Sequence, residues 1–238
     1  MPNSRTPRII GRVIKFSFLV LILLVNGVLI FRLCSSGDPA TMNNLILNDA
    51  LIDAYEKHGD DLILRYQNQS TITQGEKNRG YFSVTQYVFI PEAKQVQLVF
   101  RYNNSTIKAL AQDYGLEQIP AKSEELFEVT LLTTTDLTPD NREDNTDPKK
   151  LKMTRYTPST ATRDDTSNSL YTYYRYVFDG ITVEPDTVGV FADVYYVKDV
   201  DYQKDPYGAL CLYDDQSKWV GTKLTDEDVR ALEEKKKK

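Results

Sequence analysis

The stretch Phe82-Ser-Val-Thr-Gln-Tyr-Val-Phe-Ile-Pro-Glu-Ala-Lys-Gln-Val-Gln-Leu-Val-Phe-Arg-Tyr102 sets the fold class. In its second half Val96, Leu98, Phe100 and Tyr102 alternate with Gln95, Gln97, Val99 and Arg101. That period of two belongs to a strand with one buried and one wet face. Phe82, Val84, Val88 and Ile90 supply a preceding strand, and Pro91-Glu-Ala-Lys94 closes the two into a hairpin with a four-residue turn.

Working outward, the same signature predicts strands at Leu62–Tyr66, Leu126–Thr133, Leu151–Tyr156, Leu170–Phe178, Ile181–Glu184, Val188–Val197 and Ala209–Tyr213. Asp179-Gly180 reads as a type I′ turn, which makes Leu170–Phe178 and Ile181–Glu184 antiparallel neighbours. Polar turns separate the strands and no βα rhythm alternates with them. The expectation is therefore a mainly β domain over residues 60–224, an antiparallel β-sandwich of immunoglobulin-like topology. The inter-sheet cysteine pair of that fold is missing, since Cys211 is the domain's one cysteine. A short helix is expected at Ser105–Tyr114, where Ile107, Leu110, Ala111 and Tyr114 share a face and Gly115 follows.

The flanks have a different periodicity. Thr41 to Gly59 reads as one amphipathic helix within a juxtamembrane segment, 35–59, with Leu47, Leu51, Ala54 and Tyr55 on its apolar face. Asn43 or Asn44 would cap its start and Gly59 its end. At the other end, residues 225–238 form a charged helix or tail. Thr225 and Asp228 build a capping box there, and four lysines complement the negative end of the dipole.

Upstream, Phe16 to Phe31 is an uncharged run, FSFLVLILLVNGVLIF, bounded by Lys15 and Arg32. With Val13 and Ile14 before it and Leu33 and Cys34 after, it reaches the length of a signal-anchor helix at 13–34. Residues 1–12 would then be a cytoplasmic tail. Arg5, Arg8, Arg12 and Lys15 precede the apolar run and Arg32 alone follows it, which predicts a cytoplasmic amino terminus and a C-terminal domain outside the cytoplasm, at the cell membrane. A cleaved signal peptide is the competing reading.

Charge divides along the same boundary. Residues 1–37 carry five basic and no acidic residues, which leaves 24 basic and 34 acidic ones from Asp38 onward. An acidic domain disfavours nucleic-acid binding, because phosphate neutralisation needs a basic face.

Little in the sequence points to catalysis. His58 is the only histidine, at the expected end of the juxtamembrane helix, and Cys211 lies within an apolar strand, where an inert thiol is expected. No cofactor is implied. Asp136, Asp140, Asp144 and Asp147 in a polar loop offer hard oxygen ligands to calcium, without EF-hand spacing. Cys34, at the membrane boundary, is a candidate for acylation. Asn68, Asn103 and Asn104 head N-x-Ser/Thr acceptor sequences. The chain has 16 tyrosines, of which Tyr171, Tyr173, Tyr174 and Tyr176 crowd one strand and Tyr195 and Tyr196 another. Alternation points Tyr171 and Tyr173 one way and Tyr174 and Tyr176 the other, so an exposed set would form a binding surface.

Together these features predict a single-pass, membrane-anchored binding or assembly module for a protein or glycan partner. The alternatives are a tethered hydrolase using paired carboxylates on glycans or peptides, and a structural subunit of a larger membrane complex.

Overall fold

The computed structural model describes residues 6–36, 42, 44–67, 73–74, 82–134, 153–163, 170–181, 189–214 and 220–237, with backbone alone at 6–14, 32–36, 66–67, 73–74 and 213–214. The chain divides into two compact units, Met1–Asp38 and Pro39–Lys238.

The first unit contains one helix, α1 (Thr6–Ser36). Its described side chains, Lys15 to Phe31, are exposed all round. Asn26, the polar residue in the middle of the run, donates its side-chain amide to Ile22 O (2.8 Å) and so satisfies itself within the helix. Among the described residues no helix is long and apolar enough to cross a membrane. The expected span, 13–34, extends past the described side chains at both ends.

The second unit is mainly β. Its strands are β1 (Ile63–Gln67), β2 (Thr73–Gln74), β3 (Phe82–Ile90), β4 (Gln95–Asn103), β5 (Phe127–Thr134) and β6 (Thr154–Tyr156), then β7 (Thr160–Arg163), β8 (Tyr171–Asp179), β9 (Gly189–Tyr196), β10 (Gly208–Asp214) and β11 (Val220–Lys223). They form a six-stranded sheet, β11-β1-β3-β4-β8-β7, and a five-stranded sheet, β2-β10-β9-β5-β6. Every described pairing is antiparallel. Both sheets bury one face in a shared core, where Leu98, Phe100 and Tyr102 of β4 and Tyr176 and Phe178 of β8 join Phe127 and Leu131 of β5 and Ala192 and Val194 of β9. A β-sandwich follows, because each sheet has a continuous apolar face and only the other can cover it.

The hairpin read from the sequence forms as expected. Lys94 closes its turn in the left-handed region (φ 48°) and donates its N–H to Pro91 O (3.0 Å). The facing of β3, however, changes partway. A register shift between Val84 and Gln86 inserts an extra residue, so that Phe82 and Val84 are followed in the core by Tyr87 and Phe89. Val88 and Ile90 turn instead to the outer side, because a one-residue slip exchanges the faces of everything beyond it.

That outer side of the six-stranded sheet is covered, which corrects the expected wet face of β4. Gln95 is fully buried, and Gln97 and Val99 nearly so. Leu45, Leu51 and Ala54, with Leu232 from α4 (Asp226–Lys236), pack on Leu62, Leu64, Val88 and Ile90. Met42 sits on Val99 and Tyr173.

The cover also shortens the expected juxtamembrane helix to α2 (Asp49–His58), capped by Asn48 rather than Asn43 or Asn44. The residues before it, 44–48, form no helix, and their peptide groups bond to the sheet's side chains instead. Gln97 accepts from Ile46 N (2.8 Å) and donates to Ile46 O (2.8 Å), and Arg175 donates to Asn44 O (2.9 Å). The left-handed stop at Gly59 (φ 55°) is as read.

Asp179-Gly180 does not make the expected hairpin turn. Gly180 alone of the pair has positive φ (75°), and Ile181 donates its N–H to Lys94 O (2.8 Å) on its way into the core. The neighbours of β8 are β4 and β7, and residues 182–184 lie outside the described residues. The short strands β2, β7 and β11 carried no sequence signal. Helix α3 (Ser105–Asp113), followed by Gly115 with φ 59°, forms as read.

Candidate functional site

The six tyrosines proposed as a surface do not share one. Tyr174 and Tyr176 enter the core, where their rings stack at 5.9 Å, and Tyr196 joins them from the opposite sheet. Tyr173 points outward from β8 but is covered by Met42, and Tyr195 lies on the outer face of the five-stranded sheet. Tyr171 is half-buried, its ring 4.5 Å beneath the Arg101 guanidinium. Burial raises the Tyr174 hydroxyl to about 12 and Tyr176 well above its ordinary value.

The polar side chains that do converge lie on the outer face of the five-stranded sheet. Arg155 of β6 donates to Thr130 Oγ1 of β5 (2.6 Å) and, through both terminal nitrogens, to Asp193 Oδ2 of β9 (3.2 Å each). Tyr195 donates its hydroxyl to the same oxygen (3.1 Å). The guanidinium also covers the rings of Tyr195 and Tyr202, and Tyr202 donates its hydroxyl to Glu128. Burial raises the Asp193 pKa against the opposing pull of Arg155. This carboxylate is held by Arg155 and Tyr195, a structural clamp joining β5, β6 and β9 rather than a free acid or base.

Beside the clamp, the β4–β5 connection, which contains α3, meets the β9–β10 connection in a cleft of about 270 Å³. Tyr114, Tyr195, Tyr196, Tyr207, Asp199, Asp201, Asp205 and Lys204 line it. Tyr114 stands 4.7 Å from Tyr196 and 6.0 Å from Tyr207, ring centre to ring centre. Tyr207 donates its hydroxyl to Asp113 Oδ2 (3.0 Å), which fixes the ring. Burial first, then the charges of Asp199 and Asp113, raise the Tyr114 pKa.

The remaining expectations fall as follows. Asp136, Asp140, Asp144, Asp147 and Asn68 lie outside the described residues, as does the side chain of Cys34. Among the described residues no group of three or more His, Cys, Asp or Glu side chains is arranged to hold a metal ion. Asn103 and Asn104 sit where β4 passes into α3, both half-buried. Asn103 Oδ1 accepts from Ser105 N (2.8 Å) and Asn104 Oδ1 from Thr172 Oγ1 (2.7 Å). His58 is exposed at the end of α2, and Cys211 is partly exposed in β10.

Sequence reasoning passed over Arg155, Asp193 and Tyr202, which are far apart in the chain and meet only through strand pairing. One signal for the cleft was on view, the alternation of acids and aromatics in Asp199-Val-Asp-Tyr-Gln-Lys-Asp-Pro-Tyr207. No protein-family model, no curated protein and no solved structure matches the chain.

Proposed function

We propose that the chain is a single-pass, membrane-anchored protein with its amino terminus in the cytoplasm and an immunoglobulin-like recognition domain outside it, which binds a protein or glycan partner. The observation that carries this is the strand order around the cleft. Eight of the eleven described strands support the immunoglobulin-like reading when β3, β4, β8 and β7 are taken as A, B, E and D and β10, β9, β5 and β6 as G, F, C and C′, with β11, β1 and β2 as additions at the sheet edges. The cleft then lies between the B–C and F–G connections, the end at which variable domains carry their binding loops. Cys211 lies in β10, so no cysteine pair links β4 to β9, and both strands contribute apolar side chains to the one core cluster.

Support for the anchor comes from α1. Its described side chains, from Lys15 to Phe31, rise about 25 Å at about 1.5 Å per residue. The sequence from 13 to 34 extends them toward the ~30 Å hydrocarbon core, with the excess of basic residues on the cytoplasmic side. Against the tethered hydrolase, Asp193, the carboxyl raised by burial, is committed to Arg155 and does not line the cleft.

Two measurements test the reading. Protease added to sealed spheroplasts or intact cells is expected to digest the domain, and protection would reverse the orientation. Full-length chain crosslinked in its native membrane is expected to yield one dominant partner through the β9–β10 connection. Crosslinks confined to α1 would support a complex subunit instead.

A further inference from the structure

We infer that Asn103 carries an N-linked glycan in the folded domain and that its chain neighbour Asn104 does not. This rests on the reading above that places the domain outside the cytoplasm, where acceptor sequences of this kind are modified.

Both residues head an acceptor sequence, Asn103-Asn-Ser105 and Asn104-Ser-Thr106. The fold separates them. Asn103 ends β4 on the outer face of the six-stranded sheet, in step with Val99 and Arg101. Its Oδ1 accepts from Ser105 N (2.8 Å) at the surface, and among the described residues its Nδ2 makes no hydrogen bond. A sugar attached at nitrogen leaves the carbonyl oxygen free to keep that bond. Ser105 is exposed. The cover over the outer face comes from Met42, α2 and α4, and it thins toward this end of β4. Arg101 and Tyr171, the residue paired with Asn103 across the sheet, are both part-exposed.

Asn104 is turned into the structure. Its Oδ1 accepts from Thr172 Oγ1 (2.7 Å) and its backbone N–H donates to Leu170 O (2.8 Å). Thr172 is fully buried, and so is Thr106, the hydroxyl residue of the Asn104 acceptor sequence. A glycan drawn into water from Asn104 would pull its amide away from Thr172 and leave a buried hydroxyl unsatisfied.

The modification joins the Asn103 amide nitrogen to the anomeric carbon of a lipid-diphosphate-linked oligosaccharide, supplied with its transferase by the secretory membrane. The N–C bond forms as the anomeric C–O bond breaks. The lipid diphosphate leaves with that bond's electron pair, and the nitrogen gives up one proton. The unfolded chain offers both asparagines, and folding then selects chains modified at Asn103, because only they can close around Thr172 and Thr106.

The test translates the full-length chain in the presence of rough microsomes. Glycans are mapped by mass spectrometry in the fraction of the domain that resists protease once the vesicles are opened. The wild type is expected to carry a glycan on Asn103, and so is Thr106→Val, which removes the Asn104 acceptor sequence alone. Ser105→Ala, at an exposed position, removes only the Asn103 sequence and should leave the resistant fraction without a glycan at either residue. A glycan on Asn104 in resistant chains, or none on Asn103, would overturn the proposal.

A second chain, with an Asn-Gly-Thr acceptor appended after Lys238 through a flexible linker, separates this failure from that of the reading it rests on. If the appended acceptor is glycosylated and Asn103 is bare, the orientation stands and the Asn103 site falls. If the appended acceptor is also bare, the domain has stayed in the cytoplasm and both fall. A glycan on Asn103 with no partner crosslinked through the β9–β10 connection would keep the site and remove the recognition module.

Discussion

Asp193 concentrates the energetic argument on one residue. Its carboxylate gains charge-assisted bonds from Arg155 and Tyr195 but loses its water, and the desolvation is the larger effect, so the folded-state pKa lies above its ordinary value of 3.8. The folded protein therefore holds this proton more tightly than the unfolded chain does. The associated stability is present below about pH 3.8 and is lost as the pH rises through the folded-state value. Comparison with Asp193→Asn isolates this contribution, because asparagine does not titrate. Urea unfolding should show the wild-type stability falling relative to the variant as the pH is raised across this window and levelling above it. A relative rise would mean that the Arg155 pair outweighs the burial. Gln97 teaches the same lesson about neighbours. In the sequence it is a polar residue on the open face of a strand, yet it is buried because its amide replaces water at both polar groups of Ile46.

The elements differ in how much of their form was local. Helix α4 was legible at both ends. The Thr225 hydroxyl accepts from Asp228 N (3.2 Å) and the Asp228 carboxylate accepts from Thr225 N (3.1 Å), a cap that needs nothing beyond its own four residues. What α4 packs against was not legible. Leu232, 1 % exposed, joins Leu51 and Leu64, while Lys235 donates to Leu47 O and Lys236 pairs with Glu56 (3.0 Å). The two substitutions should separate local from tertiary stabilisation. Thr225→Ala should cost about 1 kcal/mol, as a lost cap. Leu232→Ala should cost about 2–4 kcal/mol, as a lost core side chain. Chemical denaturation followed by circular dichroism reads both, and equal losses would show that α4 is not anchored through Leu232. The segment before α2 is the opposite case. Its apolar spacing suited a helix, but the peptide groups of Asn44 and Ile46 bond to Arg175 and Gln97 and the segment is not helical.

Across the whole molecule the tyrosines act as internal mass. Tyr102, Tyr174 and Tyr176 crowd the core side of β4 and β8, with burial raising all three hydroxyls, Tyr174 to about 12. Because these pKa values are raised above the unfolded value of about 10, their contribution to stability is intact below that pH. It is lost as the pH climbs through the folded values. Absorbance at 295 nm during an alkaline titration should therefore show a class of tyrosines silent through pH 10 that ionises together with unfolding. Titration of all 16 as one class near pH 10 would contradict their placement.

The sequence by itself determined that the domain is β, that Phe82 to Tyr102 is a hairpin, that α3 is a helix stopped before Gly115, and that Thr225 and Asp228 make a helix cap. These depend on periodicities, turns and caps spanning only a few neighbouring residues. Only the tertiary structure decided which faces are covered. An inserted residue in β3 redirected Val88 and Ile90, Met42 and Ile46 covered the side of β4 that the sequence left wet, α2 and α4 covered β1 and the end of β3, and Tyr174, Tyr176 and Tyr196 went inward. It also assembled the cleft, whose walls come from positions more than 80 residues apart, Tyr114 and Asp199 to Tyr207. Alternation says that a strand has two faces, and which face meets water depends on what the rest of the chain lays against it.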